Sequence, residues 1–292
     1  MSVEHIKYRQ QTYNNIIINQ KYGNLPGLAA IELNVTELCN RRCIFCPRYD
    51  SAVYPNRKLF MRREIIQRLI DQLTINEYSG IITISGFGEP LLNTQVAEYI
   101  LMLKAALPQC HVEMNTNGDL LDKTTISEIA STIDMLIVDC YDGQHQIVKY
   151  ESMFCESNFT NFMFRKLWLE QDEDLLQKVN EWNFNNRAGA VTNIEFSTSN
   201  HNQCFLPFYR VTIDWNGDII LCCNDWYRQQ KGLGNIMNED FHSLWMSDTY
   251  KAIRDNLSCG IRSDSACKNC SAAGTLLGKE SVDIINQYQI VR

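Results

Sequence analysis

No run in the 292-residue sequence approaches the roughly eighteen consecutive apolar residues that a membrane-spanning helix requires. The opening stretch, MSVEHIKYRQQTYNN, lacks the apolar core of a secretory signal. Clustered basic segments are missing too, and the net charge of -7 with a pI near 5.3 argues against a nucleic-acid or anionic-membrane partner. There is no internal repeat, low-complexity tract, long linker or heptad pattern. What these absences leave is the expectation of a cytoplasmic globular protein. Its length allows one large domain with a smaller appendage.

Cysteine, by contrast, is abundant. Twelve are present with no sign of export, and in a reducing compartment clustered thiols bind metal more often than they pair as disulfides. Seven fall into readable spacings: Cys39, Cys43 and Cys46 at the front, and Cys204, Cys222, Cys267 and Cys270 at the rear. The other five, Cys110, Cys140, Cys155, Cys223 and Cys259, read as small buried hydrophobes.

Short β-rich runs bounded by turn residues predict six strands, at 29–36, 80–86, 110–115, 134–140, 162–169 and 193–198. Between them, 62–75, 93–107 and 121–133 carry helical spacing of apolar residues, with Asn93 and Asp122 as candidate N-caps. Alternation of this kind implies an α/β fold with a parallel sheet and right-handed crossovers, here a partial (β/α)6 TIM-like barrel over 29–200. Beyond residue 200 the pattern changes. Residues 208–226 read as a hairpin around Asn216-Gly217, followed by short helices at 239–246 and 249–257 and by the Cys267–Cys270 pair. This predicts a small cysteine-anchored domain over 201–275, with an N-terminal extension over 1–28 and a C-terminal tail over 276–292.

In parallel α/β barrels the loops after the strands form the functional face. The segment ELCNRRCIFCPRYD follows the first strand, so Cys39, Cys43 and Cys46 cap that face. Three thiolates are one short of closing a structural zinc site or a four-iron cluster, which leaves a metal corner open for another ligand. A zinc site completed by a distant histidine is the alternative.

A C-x3-C-x2-C loop after the first strand is the signature of radical S-adenosylmethionine (radical SAM) enzymes, and the chain resembles that superfamily at further places. Phe45 fits the aromatic position that packs near the adenine. SGFGEP, with Gly86, Phe87, Gly88 and Glu89, is similar to the Gly-Gly-Glu motif that meets the methionine amino group, and the two glycines would let backbone carbonyls approach that ammonium. MNTNG, with Asn115 and Asn117, resembles the element near the ribose, and Asp139 is a further candidate for ribose or substrate contact. Apart from the family, these stretches read as ordinary turns. The resemblance implies a [4Fe-4S] cluster on Cys39, Cys43 and Cys46, with S-adenosyl-L-methionine chelating the open iron. It further implies reductive cleavage to a 5′-deoxyadenosyl radical and an electron donor such as flavodoxin or ferredoxin.

The rear cysteines resemble the SPASM domain, in which Cys204 and Cys222 flank Gly217 and a C-x2-C pair follows. No cysteine follows Cys270, as in the shortened twitch form, which holds one auxiliary [4Fe-4S] cluster on four cysteines. A four-thiolate zinc site has the same ligand count, and Cys223 or Cys259 is an alternative ligand. Cys223 follows Cys222 on a predicted strand and should face the opposite way.

A fully thiolate-ligated second cluster implies electron transfer: the radical takes a hydrogen atom, a base takes a proton and the cluster takes the electron, oxidising an alcohol carbon. Arg48, Tyr141, Asp142, Arg165 and Glu195 are candidates for base or substrate anchor. Twitch relatives also epimerise carbons, with Cys140, Cys155, Cys223 and Cys259 as candidate hydrogen donors. Only about thirty residues precede the first strand, too few for the leader-binding domain of many peptide-modifying members. A small sugar-like or aminocyclitol-like substrate is therefore favoured over a ribosomal peptide.

Iron, sulfide and zinc analysis of anaerobically purified protein tests the two cysteine sets. About eight irons per chain, falling to about four when Cys39, Cys43 and Cys46 are replaced by alanine, is the expected result. Retention of one zinc with no residual iron would make the rear set structural.

Overall fold

The computed structural model describes residues 3–170, 173–182, 184–196, 202–263 and 266–291. A helix, α1 (Val3–Ile18), leads into β1 (Ala30–Asn34), α2 (Arg63–Ile75), β2 (Ile81–Ser85), α3 (Val96–Ala106) and β3 (His111–Thr116). Alternation continues through α4 (Lys123–Ile129), β4 (Met135–Cys140), α5 (Gln144–Glu156), β5 (Phe162–Lys166) and α6 (Leu175–Glu181). The rear part comprises α7 (Leu206–Tyr209), β6 (Arg210–Ile213), β7 (Ile219–Ile220), α8 (Phe241–Trp245), α9 (Asp248–Ser258) and α10 (Lys279–Val291). No helix among the described residues is long and apolar enough to cross a membrane.

The strands form one open seven-stranded sheet in the order β5-β4-β3-β2-β1-β6-β7, parallel except for the β6–β7 hairpin. Residues alternate across it. Ile31, Leu33, Ile82, Ile84, Val112, Met114, Leu136 and Val138 belong to the main apolar core, which also takes in Leu69 of α2 and Leu103 of α3. Glu32, Asn34, Thr83, Ser85, Glu113, Asn115, Asp139 and Arg165 occupy the other set of positions. Thr83 faces Glu113, and Asp139 faces Arg165, across adjacent strands. A polar inner face on a sheet buried on both sides is where ligands are placed.

The sixth strand is not where the sequence pattern put it. Residues 193–196 form no strand, and 197–198 lie outside the described residues. The free edge of β1 is taken instead by β6, parallel, with Ala30 opposite Arg210. Charge explains the choice: Arg210 pairs with Glu32 at 3.1 Å, and Thr212 donates to the same carboxylate at 3.2 Å. The predicted hairpin is present, but through this edge it continues the barrel sheet.

Two cap assignments had different outcomes. Asp122 caps α4 by accepting from the Thr125 amide at 2.8 Å. Asn93 does not cap α3, whose cap position is Gln95. Its amide donates to the Val35 carbonyl at 3.0 Å, and its oxygen accepts from the Gln95 amide, so it ties the helix entry to the end of β1. The expected N-terminal extension and C-terminal tail both contain helices, and they meet. Tyr13 of α1 stands edge-on to Tyr209, 5.4 Å between centroids, and shares a 2.9 Å hydrogen bond with Ser281 of α10.

A buried charge network joins β1, β2 and the hairpin. Glu37, Arg48 and Asp214 are at most 3% exposed. Arg228 donates to Glu37, to Asp214 and to the Tyr54 hydroxyl, while Asn34 donates to Glu37 at 3.0 Å and to Asp214 at 2.7 Å. Arg228→Ala leaves the buried Asp214 without a cationic partner and takes one of two from Glu37, and should cost about 3–5 kcal/mol in urea unfolding. Arg63→Ala, which removes the exposed pair with Glu98, should cost under about 1 kcal/mol.

Candidate active site

The segment after β1 is fixed at several points. Asn56 accepts from the Cys39 amide at 3.0 Å and donates to the Cys39 carbonyl at 2.9 Å. Cys46 donates through its amide to the Cys43 carbonyl, closing the turn that brings the two thiols to one side. Arg48, just beyond, donates to the Phe87 carbonyl at 2.6 Å and so clamps the cysteine loop onto the loop after β2.

These loops border a cavity of about 540 Å³. Cys39, Cys43, Phe45, Cys46, Gly86, Phe87, Gly88, Glu89, Asn115, Asn117 and Asp139 all line it, so residues drawn from four strand ends share one space. Burial pushes the Cys39 thiol up to about 11 and raises Cys43 and Cys46 as well. Burial thus favours the protonated form of all three thiols in the bare chain.

The two glycines have a packing reason as well. A Cβ on Gly86, which lies at φ +96, would stand 2.6 Å from the Asn34 side-chain oxygen. On Gly88 it would stand 2.3 Å from the Thr36 carbonyl. Only glycine lets the loops after β1 and β2 approach this closely. Glu89 is 2% exposed and accepts from Thr116 Oγ1 at 2.7 Å, the Asn117 amide at 2.8 Å and the Leu91 amide at 3.1 Å, joining the β2 and β3 loops. Burial pushes its carboxyl up to about 7 despite those bonds. Phe45 sits in an aromatic box, stacked on Phe184 at 4.5 Å and edge-on to Trp182 at 5.6 Å. Asn115 donates to Ser85 Oγ at 3.3 Å, and its Oδ1 is buried without a hydrogen-bond partner. Asp139 is held by a two-pronged contact with Arg165.

The rear cysteines also come together. Cys222 lies within electrostatic reach of Cys223, Cys270 and Cys267, and Cys204 of Cys270 and Cys223. Cys204 sits beneath Gly274, where an added Cβ would stand 2.3 Å from its sulfur. Asn186 pins the Cys270 loop from the barrel side, donating to the Asn269 carbonyl at 2.6 Å and accepting from the Ser271 amide at 2.9 Å. Among the described residues, no three His, Cys, Asp or Glu side chains converge closely enough to hold a single metal ion. Cys222 and Cys223 are not on a strand, because β7 ends at Ile220 and a turn closes from the Asp225 amide to the Cys222 carbonyl. The turn still separates them: Cys223 lines the cavity and Cys222 does not.

Of the candidate bases and anchors, Arg48, Tyr141 and Arg165 line the cavity. Asp142 and Glu195 do not, and Asp142 is instead paired with Arg41. Cys140 is buried away from the cavity, and Cys155 and Cys259 are exposed elsewhere. Sequence reasoning missed Arg9, Glu32, Arg187 and Arg210, all on the cavity wall. Glu32 had a signal, a charge at the centre of a strand buried on both sides. Arg187 had none: it and Ala188 are consecutive non-glycine residues at φ 50 and φ 55, strain costing roughly 1–3 kcal/mol each, and Arg187 donates to Asn224 Oδ1 at 2.9 Å.

Residues 33–143 match the radical SAM superfamily model, and residues 204–271 match SPASM, an iron-sulfur cluster-binding domain. The chain is 26% identical over 243 residues to the S-adenosyl-L-methionine-dependent 2-deoxy-scyllo-inosamine dehydrogenase of Niallia circulans, covering 82% of this chain and 92% of that one. A GTP 3',8-cyclase of Lactiplantibacillus plantarum is 35% identical over 94 residues, covering 32% of this chain and 27% of the cyclase. The crystal structure of BtrN in complex with AdoMet and 2-DOIA superposes with a TM-score of 0.69 at 22% identity, over 87% of this chain and 97% of that one, which shows a shared fold. Radical SAM domains carry a [4Fe-4S] cluster and S-adenosyl-L-methionine, and SPASM domains carry auxiliary iron-sulfur clusters.

Glu89 makes the metal-free chain pH-sensitive. Its folded carboxyl, near 7, lies above the unfolded value near 4.5, so the folded state holds the extra proton between them and stability falls as pH rises through that window. The expected loss is on the order of 3 kcal/mol between pH 4.5 and 7, levelling off above, in urea titrations of the metal-free chain. Glu89→Gln should flatten that part of the profile.

Proposed function

With a radical SAM domain followed by a SPASM domain, this chain is a radical SAM enzyme, and we propose that it oxidises an alcohol carbon of a small sugar-like or cyclitol-like substrate. The observation that carries the proposal is a single cavity bordered both by the Cys39–Cys46 loop and by the turn after Cys222, with Arg187 of its wall bonded to Asn224. The relative from Niallia circulans is named as a dehydrogenase.

Cys39, Cys43 and Cys46 would hold three corners of the first cluster, and Cys204, Cys222, Cys267 and Cys270 the auxiliary one. Two features fit these groups: the unpartnered Asn115 Oδ1 beside the cavity, and the Gly274 cradle over the Cys204 sulfur. Bound there, these groups supply a 5′-deoxyadenosyl radical for hydrogen abstraction and an acceptor for the second electron, with flavodoxin or ferredoxin as donor class. Phe45, Gly86, Phe87, Gly88, Glu89, Asn115 and Asn117 would hold S-adenosyl-L-methionine. The largely buried strands β1 to β4 would limit water around a radical formed there. Glu32 and Asp139 are the wall carboxylates besides Glu89, each held in place by an arginine, and either is positioned to take a hydroxyl proton.

Cys223 favours a second reading, epimerisation. It is the thiol outside the two proposed ligand sets that lines the cavity, where it could return a hydrogen atom. Product analysis after reduction separates the two. Oxidation gives a product lighter by one H2 and survives Cys223→Ala. Epimerisation leaves the mass unchanged, incorporates deuterium from D2O and is lost in Cys223→Ala. Full cleavage of S-adenosylmethionine by Cys39→Ala would sink both.

A further inference from the structure

The cavity wall is unevenly charged. Six arginines line it (Arg9, Arg41, Arg48, Arg165, Arg187 and Arg210) against three carboxylates, Glu32, Glu89 and Asp139. Arg41 is committed to Asp119 and Asp142, Arg48 to Glu37 and the Phe87 carbonyl, Arg165 to Asp139, and Arg210 to Glu32. Arg9 and Arg187 have no carboxylate within ion-pair distance among the described residues; Arg187 donates instead to the neutral Asn224. Glu89 makes no ion pair with either, and its oxygens accept from Thr116, Asn117 and Leu91.

Arg9, Arg210 and Glu32 line the cavity together with Cys223, and Arg9 also shares a small adjoining pocket with Glu113 and with Tyr209, the residue before Arg210. Arg210 is 6% exposed, and its Nε is buried with no hydrogen-bond partner. Arg9, carried there by α1, is half-buried. Glu113 lies nearby but outside the cavity wall, its oxygens engaged by Thr83 Oγ1 and the Tyr8 hydroxyl, each at 2.8 Å.

We infer that Arg9 and Arg210 form a clamp for an anionic group, a carboxylate or a phosphate, carried by the substrate. This rests on the proposed reading of the cavity as the site of a sugar-oxidising radical enzyme, and it narrows the substrate to an acidic or phosphorylated polyol. Guanidinium forks match both oxyanions, and a donor already desolvated in the free protein loses little more on binding one. Glu32 engages Arg210 through Nη2, which leaves the rest of that guanidinium and Arg9 without an ion-pair partner among the described residues. A protonated amine, such as an inosamine carries, finds no acceptor on either guanidinium. On this count the chain diverges in substrate from the relative named above.

The test is calorimetric titration of the full chain, loaded with both clusters and S-adenosylmethionine but not reduced, so that the cofactor's own carboxylate is already in place. Inorganic phosphate, glucose 6-phosphate, glucuronate, glucose and glucosamine are the probes; the phosphorylated and uronic sugars separate the two oxyanions. At least one anionic sugar should bind about tenfold or more tighter than glucose, with glucosamine weakest. Arg9→Gln should remove most of that advantage while leaving S-adenosylmethionine binding unchanged, and Arg9→Lys should keep part of it. Equal or tighter binding of glucosamine, an unaltered Arg9→Gln, or no binding of any of the three anions at about 10 mM overturns the inference. 5′-Deoxyadenosine formation in the same preparation is read separately. Cleavage without anion preference defeats only the clamp, and anion preference without cleavage defeats only the proposed function.

Discussion

The buried carboxylate of Glu37 sits where three parts of the chain meet. Arg48 reaches it from the cysteine loop, and Arg228 reaches it from beyond the rear hairpin. Arg48 also holds the Phe87 carbonyl, Arg228 also holds Asp214, and Asn34 ties Glu37 to Asp214 and accepts from the Phe87 amide. Charges removed from water this completely are tolerable only when every one is matched, so the pieces that supply the partners must be in register together. The front cysteine loop, the glycine loop after β2 and the rear hairpin are thereby positioned by one set of contacts.

That constraint has a chemical consequence. Proteins that run reactions between two redox groups must fix both relative to one cavity, and here the rear hairpin adds β6 to the edge of β1 through the Arg210–Glu32 pair. The strand that completes the inner face thus comes from the segment that carries the rear cysteines. Strain at Arg187 and Ala188 fits the same pattern: Asn186 binds the Cys270 loop while the next side chain reaches the cavity, and two left-handed residues are the local cost of that reversal.

Much of this was legible residue by residue. The period-2 pattern located five of the parallel strands, Asn216-Gly217 marked the hairpin, and Asp122 was a correct cap because capping depends on a side chain and an amide three residues away. Asn93 misled because its amide serves β1, a contact no local window contains. The run at 193–198 has strand composition but not the charge that the free edge of β1 required, which Arg210 supplies from a distant part of the chain. Helix α1 was invisible as anything but a polar start, since its role is made by Tyr8, Arg9 and Tyr13 meeting residues far away in sequence.

The sequence by itself determined the chemistry available: three front thiols in a loop after a strand, glycines where the backbone must close up, four spaced cysteines behind, and alternating polar residues inside apolar strands. These are set by covalent spacing and by local periodicity, which survive without a fold. Only the tertiary structure decided which charges share the cavity, which of two adjacent cysteines faces it, and which strand closes the edge of β1. Those outcomes depend on long-range pairing of buried charges, whose partners lie up to 191 residues apart, and no local pattern records such a distance.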